Sequence, residues 1–188
     1  MNKKSHLRLV TSLPPCTASR EAHLSACSDV VVKPYNEETD YEGLHSCFCD
    51  CQEVARRRDG RLLRGLDVAD DHLSRLLVRC ATEAGVVLVA KLEASVVGYT
   101  CVLARSDAMQ AVNGSNPYAQ ILDLVVLSSV RRHGVAKCLL RAAEQYARCA
   151  GAGYLRIGVF AWNSDAISCY IGFGFDPHDL TLEKRLTL

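Results

Sequence analysis

Apolar positions along this chain recur with two periods, and the switches between them divide it into strands and helices. Val30-Val31-Val32-Lys33 is a short apolar run stopped by Pro34, which reads as a strand. Over Asp40–Val54 the residues Tyr41, Leu44, Cys47, Phe48 and Cys51 return at threes and fours, one face of a helix, with Thr39 or Asp40 as its N-cap. The basic, Gly-containing stretch Arg56–Gly65 breaks that pattern. Asp67–Ala84 reads as a second helix, with acids in its first turn and Leu73, Leu76, Leu77 and Cys80 along one face. Val86–Leu92 and Val96–Arg105 are β-branched runs separated by Glu93-Ala94-Ser95, a hairpin by length.

The loop Ser106–Pro117 carries two turn signals, Asn113-Gly114 and Asn116-Pro117. Ala119–Leu127 comes next as a buried strand, then Gly134–Ala150 as a helix with Val135, Leu139, Ala142, Ala143 and Tyr146 inward, ended by Gly151-Ala152-Gly153. Tyr154–Phe160 reads as a strand, Ser164–Ile171 as a short helix, and Phe173–Phe175 leads into a last strand around Thr181–Leu186. The order β-α-α-β-β-β-α-β-α-β predicts one α/β domain with a mixed sheet over residues 29–188. Residues 1–28 differ: they hold Pro14-Pro15, scattered Ser and Thr, and Glu21 as their only acid. We expect a disordered leader there, whose acid-poor composition also permits an organelle transit peptide.

Composition changes this picture in one respect. A net charge of +1 argues for no nucleic-acid or anionic-membrane partner, and no apolar run approaches the roughly 18 residues of a membrane span. Ten cysteines are many. No apolar signal segment succeeds the basic start, and most of the cysteines fall inside helices and strands, so they read as free thiols of a cytoplasmic protein. Cys47, Cys49 and Cys51, with His45 before them, are the one metal candidate. On a helix Cys47 and Cys51 share a face while Cys49 points away, and no second Cys/His pair has zinc spacing, so no metal is expected.

The chemistry concentrates in Leu122–Lys137. A buried strand runs into a basic turn, Arg131-Arg132-His133-Gly134, that opens directly into a helix. A helix N-terminus presents unpaired N–H groups and partial positive charge, which suits a pyrophosphate. Gly134 and Ala136 lack bulk, and Arg131, Arg132, His133 and Lys137 add charge at the same point. The glycine spacing fits neither a dinucleotide fingerprint nor a Walker loop. Asp123 is an acid inside an otherwise apolar strand, a costly placement unless it is used. Alternation puts it on the same face as Val125.

Arg131-x-x-Gly134-x-Ala136 resembles the R/Q-x-x-G-x-G/A signature of the GCN5-related N-acetyltransferase (GNAT) superfamily. Asn163, Ala166-Ile167, Tyr170 and Gly174-Phe175 resemble its second cofactor segment. The resemblance implies a single-domain GNAT fold, a mixed, mostly antiparallel central sheet flanked by helices and splayed at the cofactor cleft. It further implies acetyl-CoA as acyl donor. Val125, Val126 and Leu127 would pair with pantetheine, the amides from Arg132 through His133, Gly134, Val135 and Ala136 to Lys137 would hold the pyrophosphate, and Asn163 would start the next helix at the cofactor. Tyr170 matches the family acid that protonates the leaving thiolate, the Val126 amide the donor to the oxyanion, and Asp123 is the candidate base. The acceptor is shaped in this family by the first two helices, here Tyr35–Cys80, which carry both acids and arginines. Val159-Phe160-Ala161-Trp162-Asn163 resembles the aminoglycoside-type branch, which favours a small-molecule amine. A protein or peptide N-acetyltransferase, a silent acyl-CoA sensor and a thiol-based metal or redox protein are the alternatives. Many members of the family pair through their sheets, and by that analogy the resemblance allows a homodimer.

Overall fold

The computed structural model describes residues 29–105 and 117–186. The leader 1–28 and most of the Ser106–Pro117 loop, including Asn113-Gly114, lie outside the described residues. Among those described, the elements are β1 (Val30–Pro34), α1 (Glu37–Arg58), α2 (Gly65–Thr82), β2 (Gly85–Leu92), β3 (Ser95–Arg105), β4 (Tyr118–Val126), α3 (Val135–Cys149), β5 (Tyr154–Ile157) and α4 (Ser164–Ile171), with a 3₁₀ turn at Ser128–Val130. The fold is α/β: five strands in sequential order β1-β2-β3-β4-β5, antiparallel except for the β4–β5 pair. No described helix is long and apolar enough to cross a membrane. The chain falls into two compact units divided after Gly158.

In the first unit the alternation of β-strand side chains sends two sets of residues to opposite faces of the sheet. Val87, Val89, Tyr99, Cys101, Leu103 and Val125 meet Leu44, Phe48, Leu73, Leu76 and Cys80 of α1 and α2. Ala90, Val97 and Val126 meet Val135 and Leu139 of α3. The inward stripe anticipated for α2 packs, and in α3 Val135, Leu139, Ala143 and Tyr146 are buried as anticipated, joined by Leu140 and Ala147, while Ala142 is half-buried.

Helix α1 is longer than its apolar periodicity indicates. It starts at an Asn36 cap, whose side chain accepts from the Glu38 amide at 2.9 Å, rather than at Thr39 or Asp40. Asp40 instead turns inward, 1% exposed, and accepts from the Asn36 amide at 3.0 Å. Its other oxygen meets Lys91 Nζ at 2.5 Å. The helix continues through Arg56, Arg57 and Arg58, good helix formers whose charge is favourable at the negative end of the dipole.

Two features of β4 set the geometry of its open end. Opposite β3, Cys101 pairs with Asp123 and Val102 with Ile121, so Leu122 is an extra, bulged residue. Opposite β5, pairing covers only Tyr118–Ile121, and β5 ends at Ile157. The rest of β4 therefore has one bare edge among the described residues, the splay expected of the fold.

In the second unit, Asn163 caps α4 by accepting from the Ala166 amide at 3.2 Å, and Tyr170 is buried beside Phe175, ring centroids 5.9 Å apart. The strand expected at Thr181–Leu186 is absent: residues 176–186 pair with no strand, and Leu180, Leu182 and Leu186 are 77%, 84% and 74% exposed. Alternation offers a strand face, but only a neighbour's ladder makes a strand.

Candidate active site

The bare edge of β4 can be read group by group. The Leu127 amide donates to Val97 O at 3.0 Å, so Leu127 faces β3 with its hydrogen-bonding groups. In an antiparallel ladder such pairs alternate, so Val125 opposite Tyr99 is bonded likewise, and Leu124 and Val126 turn their N–H and C=O to the open side. Of the three residues expected to offer backbone there, Val126 does so and Val125 and Leu127 do not. Leu124, not anticipated, joins it. The Val126 carbonyl already accepts from Arg131 Nε at 3.1 Å. Arg131, anticipated as a phosphate donor, thus folds back along β4, its guanidinium also 3.9 Å from Asp50.

Beyond the 3₁₀ turn, Arg132 and Gly134 both adopt left-handed backbone, at φ 68° and 85°. Alternating left- and right-handed residues turn successive amides toward a common point, a nest for an anion. Helix α3 has no side-chain cap, and the amides of Gly134, Val135, Ala136 and Lys137 have no hydrogen-bond partner among the described residues. Four orphan donors at the positive end of a fifteen-residue helix fit a diphosphate. Lys137 and His133 are exposed around it. The turn is pinned from α1: Asp50 accepts from the Ser128 amide at 2.7 Å and from its hydroxyl at 2.8 Å.

Asp123 lies on the α1/α2 face of the sheet with Val125 and Tyr99, as its alternation with Val125 requires. Its Oδ2 is 2.7 Å from His72 Nε2 of α2 and accepts from the Tyr99 hydroxyl at 3.1 Å. Its backbone carbonyl accepts from Thr100 Oγ1 at 2.9 Å. Burial, and then the charge of Asp123, push the Tyr99 phenol well above its ordinary value, so it stays a donor. Phe48 of α1 stacks on the His72 ring, centroids 4.4 Å apart and planes 20° from parallel. Nothing in the sequence marks His72, Tyr99 or Asp50 for this site, and Phe48 reads there only as part of the apolar face of α1. His72 sits in Asp70-Asp71-His72, which reads as a solvated face, and nothing local ties it to residue 123.

The cysteine cluster separates as its helical spacing predicts. Cys47 is buried with its thiol 3.9 Å from Val96 O, Cys51 is half-buried, and Cys49 instead lies 3.8 Å from His45 Nδ1. Burial, then Asp50 and Cys51, push the Cys47 thiol up to about 12. A hollow at the start of α1 is lined by Glu37, Glu38, Thr39, Tyr41 and Glu42, and none of the residues around Asp123 lines it.

Three comparisons bear on this arrangement. No curated protein sequence matches the chain. Solved structures do: a mutant of the BH1408 protein from Bacillus halodurans superposes with a TM-score of 0.71 at 18% identity, covering 84% of this chain and 99% of that one. The aminoglycoside 6'-N-acetyltransferase AAC(6')-IG from Acinetobacter haemolyticus gives 0.62 at 17% identity, covering 84% and 99%. AAC(6')-Iy, in complex with a bisubstrate analog of CoA and monomethyl-acetylneamine, gives 0.58 at 18% identity, covering 86% and 100%. These likenesses are of fold. A model of the acetyltransferase (GNAT) family matches residues 41–175, most of the chain and both cofactor segments up to Phe175, and with the splayed strand leading into an uncapped helix it identifies the chain as a member of the GNAT acetyltransferase family.

Proposed function

We propose that this protein is an acetyl-CoA-dependent N-acetyltransferase whose acceptor is a primary amine on a small molecule. The observation that carries the reading is the bare edge of β4 leading into four unpartnered amides at the start of α3, with a half-buried carboxylate, Asp123, on the same strand. The amides of Gly134, Val135, Ala136 and Lys137 would hold the pyrophosphate of coenzyme A, with Lys137 and Arg132 adding charge. Leu124 and Val126 would take its pantetheine arm as a further strand. Bound there, the thioester supplies an activated acetyl carbonyl.

The rest is work for this chain's residues. An amine is mostly protonated at neutral pH, so a base must draw off a proton before or as nitrogen attacks, and a nearby negative charge favours that transfer. Asp123 provides that charge. The Val126 amide is the donor to the carbonyl oxygen as it becomes negative. Tyr170, a phenol that is protonated at neutral pH, is the acid for the leaving thiolate, and Asn163 orders the start of its helix. Likeness in fold to aminoglycoside acetyltransferases supports a small-molecule acceptor.

The test is thiol release from acetyl-CoA against polyamines, aminoglycosides, amino acids and N-terminal peptides. Release with one small-amine class, reduced in Tyr170→Phe and Asp123→Asn while acetyl-CoA still binds, is the expected result. Release with peptides alone would move the acceptor class. Binding of acetyl-CoA without release on any amine would make the protein a silent acyl-CoA module.

A further inference from the structure

Three features of the Asp123 cluster bear on which atom meets the amine. First, the side-chain contacts of the carboxylate from His72 and from Tyr99 both fall on Oδ2. Second, a carboxylate only accepts, so the 2.7 Å contact puts a proton on His72 Nε2, and in the neutral imidazole that leaves Nδ1 as a lone pair. No hydrogen-bond partner meets that Nδ1 among the described residues. Third, His72 is the outer member: its side chain is 35% exposed against 19% for Asp123. Phe48 stacked on the ring and Tyr99 behind the carboxylate hold both members in place. An imidazole with one nitrogen pinned by a half-buried carboxylate and the other open is the arrangement of an oriented general base.

We propose that His72 is the catalytic base of this acetyltransferase, taking the amine's proton on Nδ1, and that Asp123 is a positioning residue acting through it. The inference rests on the proposed acetyltransferase activity and names the group within it that touches substrate. The nitrogen–carbon bond forms as the carbonyl π-electrons move to oxygen, and the carbon–sulfur bond breaks as they return. The surplus proton on nitrogen passes to Nδ1, and the departing sulfur takes one from an acid, Tyr170. Exchange with water returns both residues to their starting forms. When Nδ1 gains its proton, the imidazolium faces Asp123 directly, which stabilises the charge just created.

The ionisable groups facing the pair are Tyr99 and Cys101 of β3, Cys47 and Cys51 of α1, and Arg131 beyond β4, and the Cys101 thiol is pushed upward by its contact with Cys80 and by burial. On α2 itself the neighbouring Asp71 is paired with Arg75. Tyr99, Cys47 and Cys51 are all pushed upward by burial and stay neutral around pH 7, so none of them titrates in the imidazole range.

The experiment measures amine-dependent thiol release from pH 5 to 9 for the wild type, His72→Gln, His72→Ala with and without added imidazole, and Asp123→Asn. Acetyl-CoA binding is measured in each to verify the fold. The wild type is expected to show a rising limb of activity with increasing pH across this range, because a base that already holds its proton cannot take the amine's. His72→Gln should lose about 100-fold in kcat and lose that rising limb. Imidazole should restore part of the activity of His72→Ala. Asp123→Asn should keep the limb at reduced height, since the base remains. A His72→Gln enzyme that keeps the limb and stays within threefold of the wild-type kcat overturns the assignment and leaves the acetyltransferase activity standing. A wild type that releases no thiol with any amine overturns both. An independent readout is the ¹⁵N spectrum of the wild-type imidazole: the Nε2–H tautomer is expected, and a dominant Nδ1–H tautomer overturns the pairing whatever the activity.

Discussion

The two working regions flanking the open end of β4 are built from different materials. At the start of α3 the chemistry is backbone: amides left unpaired because a helix begins there, aimed by two left-handed residues and by Asp50 holding the turn. At Asp123 the chemistry is side chain: one carboxylate, one imidazole and one phenol from three elements, each bonded to another. A backbone site tolerates changes of side chain so long as its φ and ψ survive, and it responds to glycine. A side-chain site fails when one atom is exchanged. Helix α1 joins the two, with Phe48 on His72 and Asp50 on Ser128.

The widest separation between the regions is expected from Asp123→Asn. The amide can still accept from His72 but cannot balance the imidazolium, so kcat should fall by about 30-fold, less than on loss of the base itself, while acetyl-CoA affinity stays within twofold. Single-turnover thiol release and calorimetric titration measure the two separately. If affinity falls in step with kcat, the regions are not independent and the comparison breaks.

That same contrast explains what could be read along the chain. The candidate anion loop is contiguous, so Arg131, Gly134 and Ala136 can be matched to the family signature within one short stretch, and the elements around it follow from periodicity. Asp123 is visible because a lone acid in an apolar strand is conspicuous. Its partners are not, because His72 and Tyr99 reach it through the packing of α2 on β3 and β4, which no local window contains. The bulge at Leu122 is equally silent. Arg131 shows the reverse failure: its charge marks the loop, yet the fold uses the side chain to hold Val126 O. Leu180 and Leu182 carry strand alternation without a neighbour to pair with among the described residues.

The next effect concerns the helix that links the regions. Burial alone would push the Asp40 carboxyl up, but the hydrogen bond from Lys91, the Asn36 amide and the Thr39 hydroxyl outweigh it and hold the group below the usual carboxylate range. Lys91→Met leaves a buried carboxylate unpaired, which costs about 3 kcal/mol. The melting temperature should drop by roughly 8 °C at pH 7. A lowered native pKa means the unfolded chain binds the proton first as pH falls. The stabilisation is therefore complete above the unfolded carboxylate value of about 4 and is lost as pH falls through the native value. The gap between wild type and Lys91→Met should close as the scan moves from pH 5 to pH 2. A gap that stays constant would mean Asp40 does not titrate against Lys91.

Smaller, and confined to the backbone region, is Gly134→Val. At φ 85° a β-branched residue is strained by about 1–2 kcal/mol, so acetyl-CoA should bind roughly tenfold more weakly. The pH profile of turnover at saturating acetyl-CoA should not change, because nothing near His72 moves. A change in that profile would show that the loop conformation reaches the proton site.

The smallest effect, and the sharpest probe of the link, is Asp50→Asn. The asparagine keeps an oxygen for the Ser128 amide but loses the charge 3.9 Å from Arg131 and one acceptor for the Ser128 hydroxyl. These contacts are exposed, so solvent screening holds their worth to a few tenths of a kcal/mol, about a twofold loss of acetyl-CoA affinity. If α1 only pins the turn, kcat at saturation is unchanged, since Phe48 keeps its place on His72. If kcat falls more than affinity, α1 carries strain from the turn to the imidazole, and the two regions act as one. Raising the salt separates these outcomes: an electrostatic tether between Asp50 and Arg131 weakens with ionic strength in the wild type, whereas the stack of Phe48 on His72 does not.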